Sequence, residues 1–273
     1  MATSPPRPTP PAADCTRCRA RVDGLCQTAR PGMPPAVAAY KSCDRHIAAG
    51  QDLFGIGQRS DAVYNVVDGW VYLYHLLEDG RQQILHFALP GAMLGFHPVR
   101  GVPATYGVQA LTDAVVCVIP RDNLDRLFGD HPAVAVTLAG LIARDRSLTY
   151  GHLTSIGRHR ARERVAQLLL ELFIRARAQW PGHRVEEMQL PLTQEHIGDA
   201  TGLTGVHVNR VLRELRHDGI AEFHYRRLRI LDPDRLVDVA GIDPHLLMQW
   251  TAQEGMADDG WSAALAPRVR AVA

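Results

Sequence analysis

The sequence predicts an α+β chain with an antiparallel β domain, one long helix and a helical C-terminal domain, in that order. Three observations predict it. Short apolar runs broken by regularly spaced glycine and proline fill residues 41 to 130. An amphipathic helical pattern continues from 131 to 158, and two capped helices joined by a glycine turn follow within 192 to 220.

Residues 1–40 are rich in proline and small residues and show no sustained periodicity. They read as a mobile arm whose order must come from a ligand. The arm carries "CTRCRARVDGLC", which places Cys15, Cys18 and Cys26 within a dozen residues of a chain that has five cysteines in all. No basic start, apolar centre and small-residue cleavage site open the chain, and no stretch approaches the roughly 20 apolar residues of a membrane span. A cytoplasmic protein with reduced thiols is therefore expected. An odd cysteine count suits four ligands plus one spectator better than a fully paired disulfide framework.

Residues 41–130 contain "DAVYNVVDG", "WVYLYHLLEDG", "QQILHFALPG", "YGVQALTD" and "AVVCVIP", with turn signals at Asp68-Gly69, Asp79-Gly80 and Leu89-Pro90-Gly91. This punctuation is that of an antiparallel sandwich or roll. His75, His86 and His97 are candidate reactive groups, but solitary histidines in a β domain are ordinarily satisfied structural residues.

In residues 131–158, Pro132 suits the first turn, and Val134, Leu138, Leu141, Leu148 and Ile156 lie near one stripe. A narrow seam on a long helix points to pairing with a second copy, the alternative being a helix packed on its own β domain. Leu138, Leu141, Asp145 and Leu148 are the candidate dimer interface. Two Asp145 carboxylates brought together by two-fold pairing would oppose association and keep the dimer weak.

Within residues 159–235, "LTQEHIGDATGLTGVHVNRVLRELRHDGI" carries the most information. Thr193 and Thr204 are helix caps, and Gly202 lies in the turn between them. Ile197, Ala200, Leu203, Val208, Val211, Leu212 and Leu215 make a shared core, which is the pattern of a helix-turn-helix. Thr204, Val206, His207, Asn209, Arg210 and Arg213 are the candidate DNA-binding residues. Arg210 can make two hydrogen bonds to guanine, whereas Arg213 and Arg216 are placed for phosphates. "IAEFHYRRLRIL" then reads as a basic wing.

The net charge of +1 conceals clustered arginines, for Lys41 is the single lysine. No HExxH, nucleophile elbow, Walker A or dinucleotide fingerprint is present, so an enzyme is not expected. Residues 236–273 have no assigned role, although "DPHLLMQWTAQEG" has the pattern of a short helix.

The order of these parts, with "IAAGQDLFGIGQRSDAVYNVVDGWVYLY", "LPGAMLGF", "VVCVIPRDNLDRLF" and "GLTGVHVNRVLRELRHDGI", resembles the CRP/FNR superfamily of transcription regulators over roughly residues 40 to 235. The resemblance implies a cyclic-nucleotide-binding-like β-roll, a dimerisation helix and a winged helix-turn-helix. It also implies a homodimer, a palindromic operator with half-sites about 34 Å apart, and contact with RNA polymerase. Cyclic-nucleotide receptors carry Gly-Glu and Arg-Ser pairs, both missing from "LGFHPVRGVPATYGVQAL". A cyclic nucleotide is therefore not expected, and Arg100 is the one candidate anion contact there.

The FNR branch instead carries three N-terminal cysteines and a fourth before "IP", matched here by Cys15, Cys18, Cys26 and Cys117. That match implies an oxygen-labile [4Fe-4S] cluster. Soft thiolates equally suit zinc, and thiol or disulfide redox sensing is a further alternative, as is haem or another small molecule in the roll. Cys43 is the spectator, able in principle to replace an arm ligand. Recognition helices of this branch usually have glutamate where this chain has Val206 and serine where it has Asn209. The usual half-site is therefore not assumed.

Overall fold

The computed structural model describes residues 14–21, 24–27, 33–97, 100–177 and 187–242. The tail helix expected after residue 242 lies outside them. Two four-stranded antiparallel sheets form the roll. One contains β1 (Cys43–Ile47), β8 (Ala114–Pro120), β3 (Ala62–Asp68) and β6 (Met93–Leu94) in that spatial order; the other contains β2 (Asp52–Phe54), β7 (Gly107–Ala110), β4 (Val71–Leu76) and β5 (Gln82–Ala88). Ile47, Phe54, Tyr64, Val66, Val71, Val108 and Val116 fill the space between the sheets.

Strand β3 departs from the alternation of a half-exposed strand, because Val63 to Val67 are all buried. Its outer side chains, Val63 and Asn65, lie beneath the arm. Ala20 and Leu25 are buried, and the arm makes short turns of 3-10 helix at Arg19–Arg21 and Ala36–Ala39. Burying Leu25 stabilises this contact by about 2 kcal/mol, so apolar contact itself docks the described arm segments. Gly24 adopts φ +122, and a Cβ there would meet the Gly91 carbonyl oxygen at 2.2 Å.

After β8 the chain runs through α1 (Arg121–Asp130) into α2 (Pro132–Arg158) and α3 (Ala161–Arg177). The C-terminal domain adds β9 (Glu187–Gln189), α4 (Gln194–Thr201), α5 (Gly205–His217), β10 (Ala221–His224), β11 (Arg227–Ile230) and α6 (Pro233–Ala240), with its sheet ordered β10-β11-β9. Helix α6 packs on α3 and buries Leu236, Val237 and Ala240, so the domain extends beyond the expected boundary at 235.

The long helix corrects a second expectation. Val134 and Leu138 are buried with Leu25, Ile119 and Leu127, and Leu148 is buried with residues of α3 and the roll. Leu141 is buried within the chain as well. The sequence stripe is thus the face that packs on the protein's own body, which was the alternative reading of the same spacing. A second apolar face of α2 remains exposed, with Val136, Ile142, Tyr150 and Leu153 standing out and Leu153 69% accessible.

Candidate nucleic-acid interface and thiol site

The helix-turn-helix is built by its caps. Thr193 Oγ1 accepts a hydrogen bond from the His196 amide at 3.1 Å, and the Thr193 amide donates to His196 Nδ1 at 3.2 Å, closing a reciprocal capping box. Gly202 ends α4 in the left-handed conformation. Gly198 lets the turn approach closely, because a Cβ there would lie 2.5 Å from the Leu203 carbonyl oxygen. Thr204 Oγ1 then accepts from the His207 amide at 3.3 Å and starts α5. Ile197, Ala200, Val208, Val211, Leu212 and Leu215 are buried as expected, and Leu203 is half-buried.

The candidate reading residues divide into free and engaged groups. Val206 is 84% exposed. Arg210 extends into solvent, with Nη2 2.8 Å from His207 Nε2 and Nε 3.8 Å from Glu214. Arg213 is exposed and makes no ion pair among the described residues. Asn209 is different: its amide donates to Gln194 Oε1 at 3.0 Å, which ties α5 to the start of α4. Arg216 pairs with Glu222 of the wing at 3.1 Å. The wing turns through Tyr225 and Arg226, both at positive φ (50 and 61), where a two-residue hairpin normally has Asn-Gly. The Leu190 amide, donating to the Arg226 carbonyl at 2.9 Å, helps to hold that turn.

The thiols occupy the outer face of the first sheet. Register pairs Asp44 with Cys117 and Cys117 with Asn65, so these three side chains project on one side. Cys117 Sγ donates to Asp44 Oδ1 at 3.2 Å, Lys41 Nζ lies 3.1 Å from Asp44 Oδ2, and Asn65 Nδ2 donates to Cys26 Sγ at 3.6 Å. Cys26 and Cys117 are buried, and Cys15 and Cys18 are half-buried. Burial pushes the Cys26 thiol up to about 12, with the charges of Cys18 and Cys15 adding to it. Burial also raises Cys117, helped by its bond to Asp44 and by the charge of Cys18.

Three arm thiols and Cys117 are thus near enough for charge on one to act on another. Among the described residues, no three histidine, cysteine or carboxylate side chains are drawn together at metal-ligand spacing. All five cysteines are unbridged. Cys43 pairs in register with Val118, one position out of phase with Asp44 and Cys117, and so faces the opposite side of the sheet. Its proposed substitution for an arm ligand is not supported by that geometry. Lys41, Asp44 and Asn65 were not identified from sequence, since only strand pairing reveals them.

By chemistry, though not by spacing in this structure, the four cysteines suit a four-thiolate group. Neutral thiols are favoured in this low-dielectric region, and a bound cation or cluster is what makes thiolates stable there. Arg21 shapes the arm around them, its Nη1 donating to the Cys15 carbonyl at 3.2 Å and the Met33 carbonyl at 2.5 Å. Leu25 and Cys26 belong to the same apolar cluster as Val134 and Leu138 of α2, so the thiol arm and the start of the long helix share one core.

On α2, Ala139, Ile142, Arg146, Tyr150 and Leu153 are exposed and follow one another at steps of three and four residues. Asp145 falls on the other, inward stripe, with Arg144 Nε 3.9 Å from its carboxylate. The charge centred on the exposed face is Arg146, which corrects the assignment of Asp145. Arg100 is held by Asp122 at 2.7 Å and also pairs with Asp125, both on α1, which engages the guanidinium considered as an anion contact.

Comparison with known proteins matches residues 163–239 to a Crp-like helix-turn-helix domain and residues 44–131 to a cyclic nucleotide-binding domain. The chain is 32% identical to the nitrogen fixation regulation protein FixK of Rhizobium meliloti over 204 residues, covering 74% of this chain and 86% of that one. It is 29% identical to the anaerobic regulatory protein of Haemophilus influenzae, over 71% of this chain and 75% of the relative. The structure of FixK2 from Bradyrhizobium japonicum superposes with a TM-score of 0.65 at 31% identity, covering 73% of this chain and 98% of that one.

Proposed function

Because the chain belongs to the CRP/FNR superfamily of transcription regulators, we propose that it senses oxygen or redox state through a [4Fe-4S] cluster held by Cys15, Cys18, Cys26 and Cys117. Cluster occupancy would govern pairing through α2 and binding to a palindromic operator. The protein is a DNA-binding regulator rather than an enzyme.

The observation that supports the sensing proposal is that Cys26 and Cys117 are buried at the outer face of the first sheet, with Cys18 near enough to both for its charge to act on them. The name of the Haemophilus relative, an anaerobic regulatory protein, agrees with an oxygen signal. When bound, a [4Fe-4S] group supplies a redox-active centre that oxygen attacks. The chain's own residues do the rest. Arg21 folds the arm, Leu25 and Cys26 seat it against Val134 and Leu138, and α2 presents Ala139, Ile142, Tyr150 and Leu153 to a second copy. Loss of the arm would uncover one side of the cluster that fixes the first turns of α2.

Zinc satisfies the same four thiolates, so metal identity separates the two readings. On α5, Arg210 is the proposed base reader, with Val206 setting a half-site different from that of glutamate-bearing relatives. RNA polymerase is the proposed downstream partner, in the cytoplasm. Among the described residues no helix is long and apolar enough to cross a membrane.

The test is oxygen-dependent binding to a duplex that the wild-type protein enriches from a random pool. Cys18→Ala and Cys117→Ala should abolish the difference between anaerobic and aerated protein, while Cys43→Ala should keep it. Regulation surviving in Cys18→Ala would overturn the proposal.

A further inference from the structure

Four titratable or charged side chains meet where the roll, the long helix and the DNA-binding domain join. Glu171 on α3 is 1% exposed. Its Oε2 lies 2.8 Å from His152 Nε2 on α2, and its Oε1 lies 2.8 Å from Arg175 Nη1 one turn along α3. Arg175 Nη2 donates to the Phe87 carbonyl of β5 at 2.8 Å and sits 3.3 Å from His86 Nε2. Burial, reinforced by the Arg175 charge, pushes His86 down to about 3 and keeps it neutral. A carboxylate this deep is costly unless paired, and apolar residues would hold three elements together at lower cost.

His152 lies on the inward side of α2, between Tyr150 and Leu153, which point outward on the exposed apolar face. Helix α3 packs directly on α4 and α5. A chain of contacts therefore runs from the face of α2 offered to a second copy, through His152 to Glu171 and Arg175, and on to the recognition helix. We propose that His152, Glu171 and Arg175 are positioning residues that transmit the placement of α2 to α5 and so set the separation of the two recognition helices in a dimer. The inference rests on DNA binding by a dimer paired through α2, and it does not depend on what the thiols bind. DNA fixes the half-site spacing, so an error in this linkage harms binding to a palindrome and leaves each recognition helix intact.

The groups facing His152 are Glu171 and Arg175 from α3, with His86 from β5 close by; Arg144 from α2 acts on His86. Glu171 favours the charged imidazole and outweighs the opposing effects of burial and Arg175, so its pKa is raised above 6.5. The linkage is at full strength below that pH and weakens as pH rises through the raised value.

The test uses full-length protein, the palindromic duplex enriched by the wild type, and a duplex with one half-site only. His152→Gln leaves the Glu171–Arg175 pair in place and keeps an amide donor for Glu171 without a titrating charge, and its unfolding midpoint verifies that it folds. It should lower affinity for the palindrome by about tenfold at pH 6 with half-site affinity within about twofold of wild type. The ratio of palindrome to half-site affinity should fall for wild type between about pH 6 and 8.5 and stay level for His152→Gln. Equal losses on both duplexes would reduce these residues to a structural role and overturn the proposal. So would a wild-type affinity ratio that does not change with pH.

Discussion

Leu25 of the arm and Leu138 of the long helix are buried in one apolar cluster, 1% and 6% exposed, although 113 residues separate them. This shared core links the thiol-bearing segment to the helix whose other face is exposed. Truncation of Leu25 tests it. Leu25→Ala should destabilise the docked arm by about 2–4 kcal/mol and speed proteolytic cleavage within it. Unchanged cleavage would show that the arm is held elsewhere.

Arg146 and Asp145 are neighbours in sequence on different sides of α2. Arg146 is exposed at the centre of the apolar face, where two-fold pairing brings two guanidinium groups together. Arg146→Leu should strengthen self-association by about tenfold, roughly 1.4 kcal/mol, in sedimentation velocity without DNA. Asp145→Ala should change it much less. The reverse order of effects would restore Asp145 to the seam.

On the recognition helix, Arg210→Ala should cost about 1–3 kcal/mol and relax preference at one base position. Arg213→Ala should weaken binding uniformly and reduce the salt slope by about one counterion. Binding curves for a panel of single-base variants over a salt series check both. Equal relaxation of specificity by the two substitutions would contradict the division of roles.

Acid and alkali should act on the buried junction from opposite sides. Glu171 is lowered from 4.5 to about 2, chiefly because the His152 charge outweighs its burial. It contributes stability that is fully present above pH 4.5 and lost as pH falls through about 2. His152 is raised above 6.5, so its contribution is complete below that pH and disappears as pH rises through the raised value. Thermal unfolding midpoints of wild type and Glu171→Gln between about pH 2 and 9 measure this. The wild-type advantage should be largest between pH 4.5 and 6.5.

The helix-turn-helix was legible in the sequence because Thr193, Gly202 and Thr204 act locally and the core positions of α4 and α5 keep helical spacing. The roll was legible from its turns. What escaped depends on long-range pairing. Leu138 and Leu148 have the spacing of a dimer seam, but periodicity alone cannot say whether such a stripe meets a second copy or the chain's own body. Strand register alone brings Asp44 and Asn65 beside Cys117, and the same register turns Cys43 away. The junction of His86, His152, Glu171 and Arg175 draws on three elements, none of which has a local motif that marks it. Helix α6 carries the domain past 235, and its Asp232 cap and Pro233 were visible local signals.

The most direct measurement is the visible absorption spectrum of anaerobically purified protein, with iron and sulfide content, repeated after exposure to air. A cluster-bearing sensor is expected to be brown, with about four irons and four sulfides per chain, the colour bleached by oxygen and lost in Cys117→Ala. A colourless protein that binds its operator equally well with and without air would contradict it.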